Sequence, residues 1–389
     1  MKKNKFTETV YTLPTVIILI ILSFSAGSLN QLYGWNPFLE SKNLNVASIN
    51  DIYTKMQSQF DGTLSSQQAL DGAKQGLVSA AGDPYTEYLT QKQALELSNE
   101  LAGKVSGIGV QVGEKNKQVT VIAPVDGTPA AKAGLKTGDV IAAVDGKTTA
   151  SMTLDDAVKK IQGKAGTDVK LTIVRGNQAP FEVTITREDL TIPSITWNMK
   201  GSDIGYIKIS TFGDDTSSLI DTAATSLKNQ GAKKVILDLR DNGGGYLTAG
   251  INVASEFLHK DATVLTLRKN GKTFETDRAN GNNKLIGLPT IVLINGGSAS
   301  ASEIVSGALH DNGAAKLLGE KSFGKGSAQD IDNFPDGSEL KVTVAHWFTP
   351  DGININKTGL TPDYKVTLSE SDYNASKDPQ LDAAILKLN

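Results

Sequence analysis

Three short stretches hold the side chains that could do chemistry. The first is Asn295-Gly296-Gly297-Ser298-Ala299-Ser300-Ala301-Ser302-Glu303-Ile304. It comes after an apolar, strand-like run at 291–294 and opens a helical pattern. A serine there meets the positive end of a helix dipole and backbone N–H groups that lack helical partners, which suits a nucleophile and its oxyanion. A plainer reading competes, because Ser300-Ala301-Ser302-Glu303 has the Ser-x-x-Glu form of a capping box. From this stretch alone the cap is the stronger reading. The second stretch, residues 319–329, places Lys325 between Gly324 and Gly326, and a flexible exposed loop is its plain reading. Free lysine titrates near ~10.4, and burial must lower that before lysine can act as a neutral general base. The third stretch, residues 237–247, has Gly243-Gly244-Gly245 after an apolar strand. These glycines let a backbone N–H approach a substrate oxygen, and they equally suit a tight strand-to-helix turn.

Two look-alike motifs drop out. Gly319-x-x-x-x-Gly324-Lys325 has the outline of a phosphate-binding loop, but Gly326 stands where a magnesium-binding Ser or Thr belongs. Ser322-Phe323-Gly324-Lys325 with Lys357-Thr358-Gly359 downstream imitates the penicillin-recognising enzymes, but no Ser-x-Asn lies between them. His310 is ten residues beyond Ser300 on the same expected helix, roughly 15 Å away, so it cannot serve as that serine's base. Asp311 is equally distant and reads as a local support. His259 and His346 read as structural.

The composition narrows the field further. Against 39 Lys+Arg stand 42 Asp+Glu, a net charge of −3, which gives no support to nucleic-acid binding. There is no Cys and only three His, which excludes disulfides, thiolate nucleophiles and thiolate zinc sites, and no cofactor or metal is expected. Lys2, Lys3 and Lys5 precede an apolar run at 13–29. That is the pattern of a secretory signal or a membrane anchor, at the lower length limit for a span. A retained anchor, with the rest of the chain outside the cytoplasm, is the expectation. Cleavage near Ser25-Ala26-Gly27 is the alternative.

The elements that must position the three stretches are legible from periodicity. Residues 30–45 read as a linker. Ile49, Ile52, Met56 and Phe60, then Ala69, Ala73, Leu77 and Ala80, recur at helical spacing, and a helix resumes at 91–101 after the break at Asp83-Pro84-Tyr85. From 106 to 185 short strands enclose two short helices. This module resembles a PDZ domain of the bacterial-protease type, through Ala133-Gly134-Leu135-Lys136-Thr137-Gly138-Asp139-Val140-Ile141 and the loop Ser106-Gly107-Ile108-Gly109-Val110. The loop's glycines would let backbone N–H groups converge on a peptide's terminal carboxylate, beside a strand edge open to β-augmentation. Arg175 could couple the module to the next domain, or could simply be a solvated strand-end charge. Residues 191–389 alternate strands and helices, with an apolar strand expected at 235–239 and helices at 216–230 and 251–258.

Taken together, these pieces resemble the carboxyl-terminal processing peptidases, PDZ-containing Ser/Lys proteases. The resemblance is carried by 237–245, 298–304, 323–329, Thr349-Pro350-Asp351-Gly352 and Gly359-Leu360-Thr361-Pro362-Asp363, with Asp83-Pro84-Tyr85-Thr86 upstream. The family's lysine comes 25 residues after its serine, as Lys325 comes after Ser300 here, which selects Ser300 over Ser298 and Ser302. The resemblance implies Gln329 as the residue that orients the lysine, and an oxyanion hole from Gly244 and Ala301. It also implies protein substrates with free C-terminal tails, gating by the PDZ domain, and a homodimer formed through the N-terminal helices. The expected fold is α/β and multidomain: an N-terminal helical segment, a PDZ β-sandwich with two helices, and a protease core of helices covering a sheet. The expected bounds are 1–29 (signal or anchor), 30–101 (linker and helices), 102–190 (PDZ) and 191–389 (protease).

Overall fold

The computed structural model describes residues 45–389; the expected signal or anchor lies outside the described residues. Two compact units divide at Ala73 and Lys74. In the first, the helix Val46–Gln59 carries Ile49, Ile52 and Met56 along one stripe, and none of its residues is buried. All the chemistry-bearing stretches belong to the second unit.

The α/β core is built on a six-stranded sheet. Its order is Ile195–Lys200, Ile204–Ile209, Lys234–Asp238, Thr290–Ile294, Lys316–Gly319 and Tyr364–Lys365, parallel except for the first pair. The central strands are apolar on both faces because both are covered. Val235, Leu237, Val292, Ile294 and Leu317 face the main core, with the helices Thr216–Asn229, Leu247–Ser255 and Ala301–Asp311. Ile236, Ile291, Leu293 and Leu318 face a smaller core closed by the helix Pro379–Leu388. The three stretches singled out by sequence leave the carboxyl ends of three adjacent parallel strands, the edge at which open α/β sheets form ligand crevices.

A second sheet roofs that edge. Its long strand Glu339–Phe348 pairs with Ser327–Asn333, Glu87–Leu89 and Thr263–Lys269, and the last continues to Lys272–Arg278. Sequence periodicity did not reveal this sheet. The helix expected at 251–258 instead starts at Leu247, directly off the glycine turn. The helix Gln91–Leu101, grouped by sequence with the N-terminal segment, packs within the second unit, where Leu101 O accepts from Asp214 N at 3.0 Å.

The PDZ sheet runs Val110–Lys115, Gln118–Pro124, Val140–Val144, Asp168–Val174 and Phe181–Thr186 around its own core of Ile108, Val121, Ile141, Leu171 and Ile173. Lys104–Gly107 and Glu188–Thr191 pair with each other and tie the module's ends together. Arg187 is buried and donates to the carbonyls of Lys160 and Ile161, capping the helix Leu154–Ile161 that faces the edge strand Val110–Lys115.

Truncating Leu293, which is fully buried in the smaller core, tests this two-faced burial. Leu293→Ala is expected to cost about 2–5 kcal/mol, read as a lowered denaturant midpoint.

Candidate active site

Ser300 is the residue before the helix Ala301–Asp311, and its φ of 55° lies in the left-handed region that non-glycine residues avoid. Its neighbours explain the sharp turn. Ser298 Oγ donates to Leu239 O and Ser302 Oγ to Asn242 O, both at 2.8 Å and buried. These two serines therefore fasten the loop to the glycine turn, which leaves Ser300 as the serine of the stretch that lines the cavity.

Glu303, read from sequence as half of a capping box, has a larger role. It is fully buried. Its Oε2 accepts from Ser300 N at 3.0 Å and Lys325 N at 2.9 Å; its Oε1 accepts from Ser322 Oγ at 2.6 Å and Gly324 N at 2.7 Å. Burial pushes its pKa up, while these donors pull it down. One carboxylate thus holds the backbones of both Ser300 and Lys325.

Lys325 is fixed from the other side by Trp347, whose Nε1 donates to Lys325 O at 2.9 Å. Its ammonium lies 5.3 Å from the centre of the Tyr85 ring. Burial, and then the like charge of Lys341, hold its pKa below the ordinary lysine value, against the pull of Glu87, Asp83 and Glu303. Gln329 donates through Nε2 to Ser327 Oγ at 2.8 Å and Thr343 Oγ1 at 3.2 Å.

The glycine turn presses against Ser300. A Cβ on Gly244, at φ 105°, would approach Ser300 Cβ to 2.7 Å and Ala301 N to 3.1 Å. The two expected oxyanion donors differ. Ala301 N has no protein acceptor among the described residues. Gly244 N donates to Asn242 Oδ1 at 2.9 Å, because the turn closes on that side chain. Asn242, which sequence reading passed over, also donates from Nδ2 to Ile209 O, and its carbonyl accepts from Ala299 N.

Ser300, Ala301, Gly244, Lys325 and Gln329 line one cavity of about 450 Å³, whose apolar part includes Leu265, Leu267, Ile304 and Trp347. A second cavity, of about 470 Å³, lies along the PDZ edge strand and meets the first at Ser210. Gly107, Ile108, Gly109 and Val110 line it. A side chain on Gly109, at φ 72°, would collide with Thr128. Ser106 is a correction: its hydroxyl bonds Asp189 on the paired strand and does not line the groove. Arg175 is another. It donates to Asp139 at 2.6 and 2.7 Å and to Gly134 O at 2.8 Å, all within the PDZ domain, because the buried Asp139 carboxylate needs a counter-ion. The module meets the core elsewhere: Asn116 N donates to Asn374 Oδ1 at 3.0 Å and Lys115 Nζ to Ser376 Oγ at 2.6 Å. His310 bonds Asp311 and approaches Asp363 at the far end of its helix, in a local supporting role.

Comparison with known proteins gives the family. Residues 203–366 match the model of peptidase family S41, and residues 120–175 match a PDZ domain. The carboxy-terminal processing protease CtpA of Bacillus subtilis (strain 168) is 36% identical over 335 residues, covering 86% of this chain and 71% of that protein. A probable CtpA-like serine protease of Staphylococcus aureus (strain bovine RF122 / ET3-1) is 37% identical over 360 residues, covering 92% of this chain and 70% of that protein. Among solved structures, the photosystem II D1 C-terminal processing protease gives a TM-score of 0.52 at 31% identity, covering 82% of this chain and 88% of that one. Fold, site and relatives together define a serine-type peptidase that bears a PDZ domain. The chain belongs to peptidase family S41, among its carboxy-terminal processing proteases.

Replacing Glu303 by Gln keeps the shape but presents an NH₂ group to two of the four donors. Glu303→Gln is expected to lower kcat at least about tenfold with KM little changed, and to destabilise the fold by about 1–3 kcal/mol. Steady-state kinetics beside a thermal melt would show both, and an unchanged kcat would remove Glu303 from the site's support.

Proposed function

We propose that the protein is an exported, membrane-tethered endopeptidase that captures free C-terminal tails in its PDZ groove and cleaves them through a Ser300/Lys325 dyad. The observation that supports this most is the convergence of Ser300 and a partly buried lysine of depressed pKa on one cavity. Neutral Lys325 takes the Ser300 hydroxyl proton as Oγ attacks the peptide carbonyl carbon. The tetrahedral oxyanion is held by Ala301 N–H and by Gly244 N–H, once the latter leaves Asn242. The C–N bond breaks as protonated Lys325 returns the proton to the leaving amine. Water, deprotonated by the again neutral Lys325, then attacks the acyl carbon; the bond to Ser300 Oγ breaks as Lys325 returns the proton to it, freeing the acid product. Gln329, with its amide nitrogen already anchored, offers its oxygen to Lys325.

The PDZ groove adjoins the catalytic cavity, which supports delivery of an extended, unfolded tail. Apolar walls at Leu265, Leu267 and Trp347 favour apolar residues at the scissile bond. The basic and apolar residues at 2–29 support export and tethering. The exposed apolar stripe on Val46–Gln59 supports a homodimer through these helices.

The test uses an unfolded protein with an apolar C-terminal tail, as the free acid and as the amide. Ser300→Ala and Lys325→Ala are each expected to lose about 10³-fold or more of the cleavage rate, and amidation to weaken cleavage by the parent. Cleavage that persists in Ser300→Ala would sink the assigned nucleophile.

The pH profile gives an independent check. The base must be neutral, so activity rises with pH through the lysine's pKa, and the depressed value starts that rise below the ordinary lysine range. Lys341→Met removes a like charge, so the ascending limb of kcat/KM is expected to move to higher pH. A shift to lower pH would contradict the assignment of Lys325 as base.

A further inference from the structure

We propose that Lys208, a residue of the protease sheet, is the counter-ion for the terminal carboxylate of the captured tail. The carboxylate site is then shared between the PDZ domain and the catalytic core. The inference rests on the tail-capture reading above and names the side chain that gives it a preference for a free acid.

The groove is not made by the PDZ domain alone. One wall holds Gly107, Gly109 and the helix residues Val158 and Ile161; the other holds Thr196, Lys208 and Ser210 of the protease core. Lys208 is the only lysine or arginine among the groove's lining residues. It lies on the strand Ile204–Ile209, in register with Thr196 on one side and Asp238 on the other.

Asp238 does not neutralise it. Asp238 Oδ1 accepts from Arg240 Nε at 2.9 Å and Arg240 N at 3.1 Å; Oδ2 accepts from Arg240 Nη2 at 2.6 Å and the Tyr206 hydroxyl at 2.7 Å. That carboxylate is saturated. No ion pair forms at Lys208 among the described residues, whereas Lys234 on the neighbouring strand has a partner in Asp203 at 3.2 Å. Lys208 is half-buried on the groove wall, beside apolar lining such as Ile108, Val110, Val158 and Ile161, and with no ion-pair partner among the described residues it is the cation there that an anion would meet.

A peptide terminus supplies one in the right place. The glycine loop and the strand edge fix the chain direction, with the carboxylate at the loop. Backbone N–H groups bind either an acid or an amide; an ammonium discriminates, because its bond to a carboxylate is charge-assisted. Anchoring at Lys208 also places the tail's end two residues from Ser210, where the groove meets the catalytic cavity. Phe212, two residues further on, donates its N–H to Gly244 O at 2.9 Å.

The test measures binding of a fluorescent apolar tail peptide, as free acid and as amide, to the full chain carrying Ser300→Ala to stop turnover. Lys208→Met and Lys208→Arg are added separately, and a thermal melt checks each variant. Lys208→Met is expected to weaken acid binding about tenfold while leaving the amide unchanged, and Lys208→Arg to keep the preference. A preference that survives Lys208→Met, or an equal loss for acid and amide, would overturn the role of Lys208 while leaving tail capture standing. If the parent binds acid and amide alike, tail capture by the carboxylate fails and this inference fails with it.

Discussion

The buried carboxylate of Glu303 is the constraint on which the site depends. Ser300 and Lys325 come from loops that leave different strands, and nothing in either loop alone sets their separation. Glu303 collects a donor from the serine's backbone, another from the lysine's, and two more from the loop between Ser322 and Lys325. A charge taken this far from water is costly unless its lone pairs are filled, and here all four donors point at it. The loop cannot drift without stranding that charge. Trp347 closes the clamp by donating to Lys325 O from the second sheet.

The sheets make this arrangement possible. Three neighbouring parallel strands end at one edge and deliver the glycine turn, Ser300 and Lys325 side by side. Arg240 bridges Asp238 and Asp378 with four bonds of 2.6–2.9 Å, so the helix Pro379–Leu388 is tied to the strand that carries the glycine turn. The second sheet supplies much of the apolar lining; burial, and after it the like charge of Lys341 on that sheet, hold the Lys325 pKa below the ordinary lysine value. The PDZ domain is fixed at two places, the groove wall and the hairpin contact near Tyr373. There Gly113 leaves no room for a side chain beside the tyrosine hydroxyl.

Much of this was legible in the sequence. Buried parallel strands announce themselves as apolar runs, and the strands Lys234–Asp238 and Thr290–Ile294 lie within a residue of the runs at 235–239 and 291–294. The second sheet was not legible. Glu339–Phe348 mixes Lys341, Thr343 and His346 with apolar residues, because it touches the cavity, a neighbouring strand and solvent in turn. Spacing picked out Ser300 and Lys325 but said nothing of Tyr85, Lys341 or Trp347, which tune or hold the lysine from distant parts of the chain. Glu303 was visible only as a helix-cap residue. Its local bond to Ser300 N is that of a cap; its three other bonds are tertiary, and local pattern does not encode them. Arg175 went the other way. A strand-end arginine looked free to reach another domain, and a buried aspartate 36 residues upstream in its own module had already claimed it.

The resting bond of Gly244 fits the proposed chemistry better than a vacant donor would. A buried N–H with no acceptor is costly, and Asn242 Oδ1 satisfies it while no oxyanion is present. Asn242 is itself held by Ile209 O and by Ala299 N in the Ser300 loop, so it would stay in place if that bond were surrendered. A ground-state carbonyl would compete with the asparagine oxygen on nearly equal terms, neutral acceptor for neutral acceptor. An oxyanion would win, because a hydrogen bond to a charged acceptor is about twice as strong. The donor would then engage as charge develops and not when substrate merely binds. Only an interaction strengthened between those two states lowers the barrier to the chemical step.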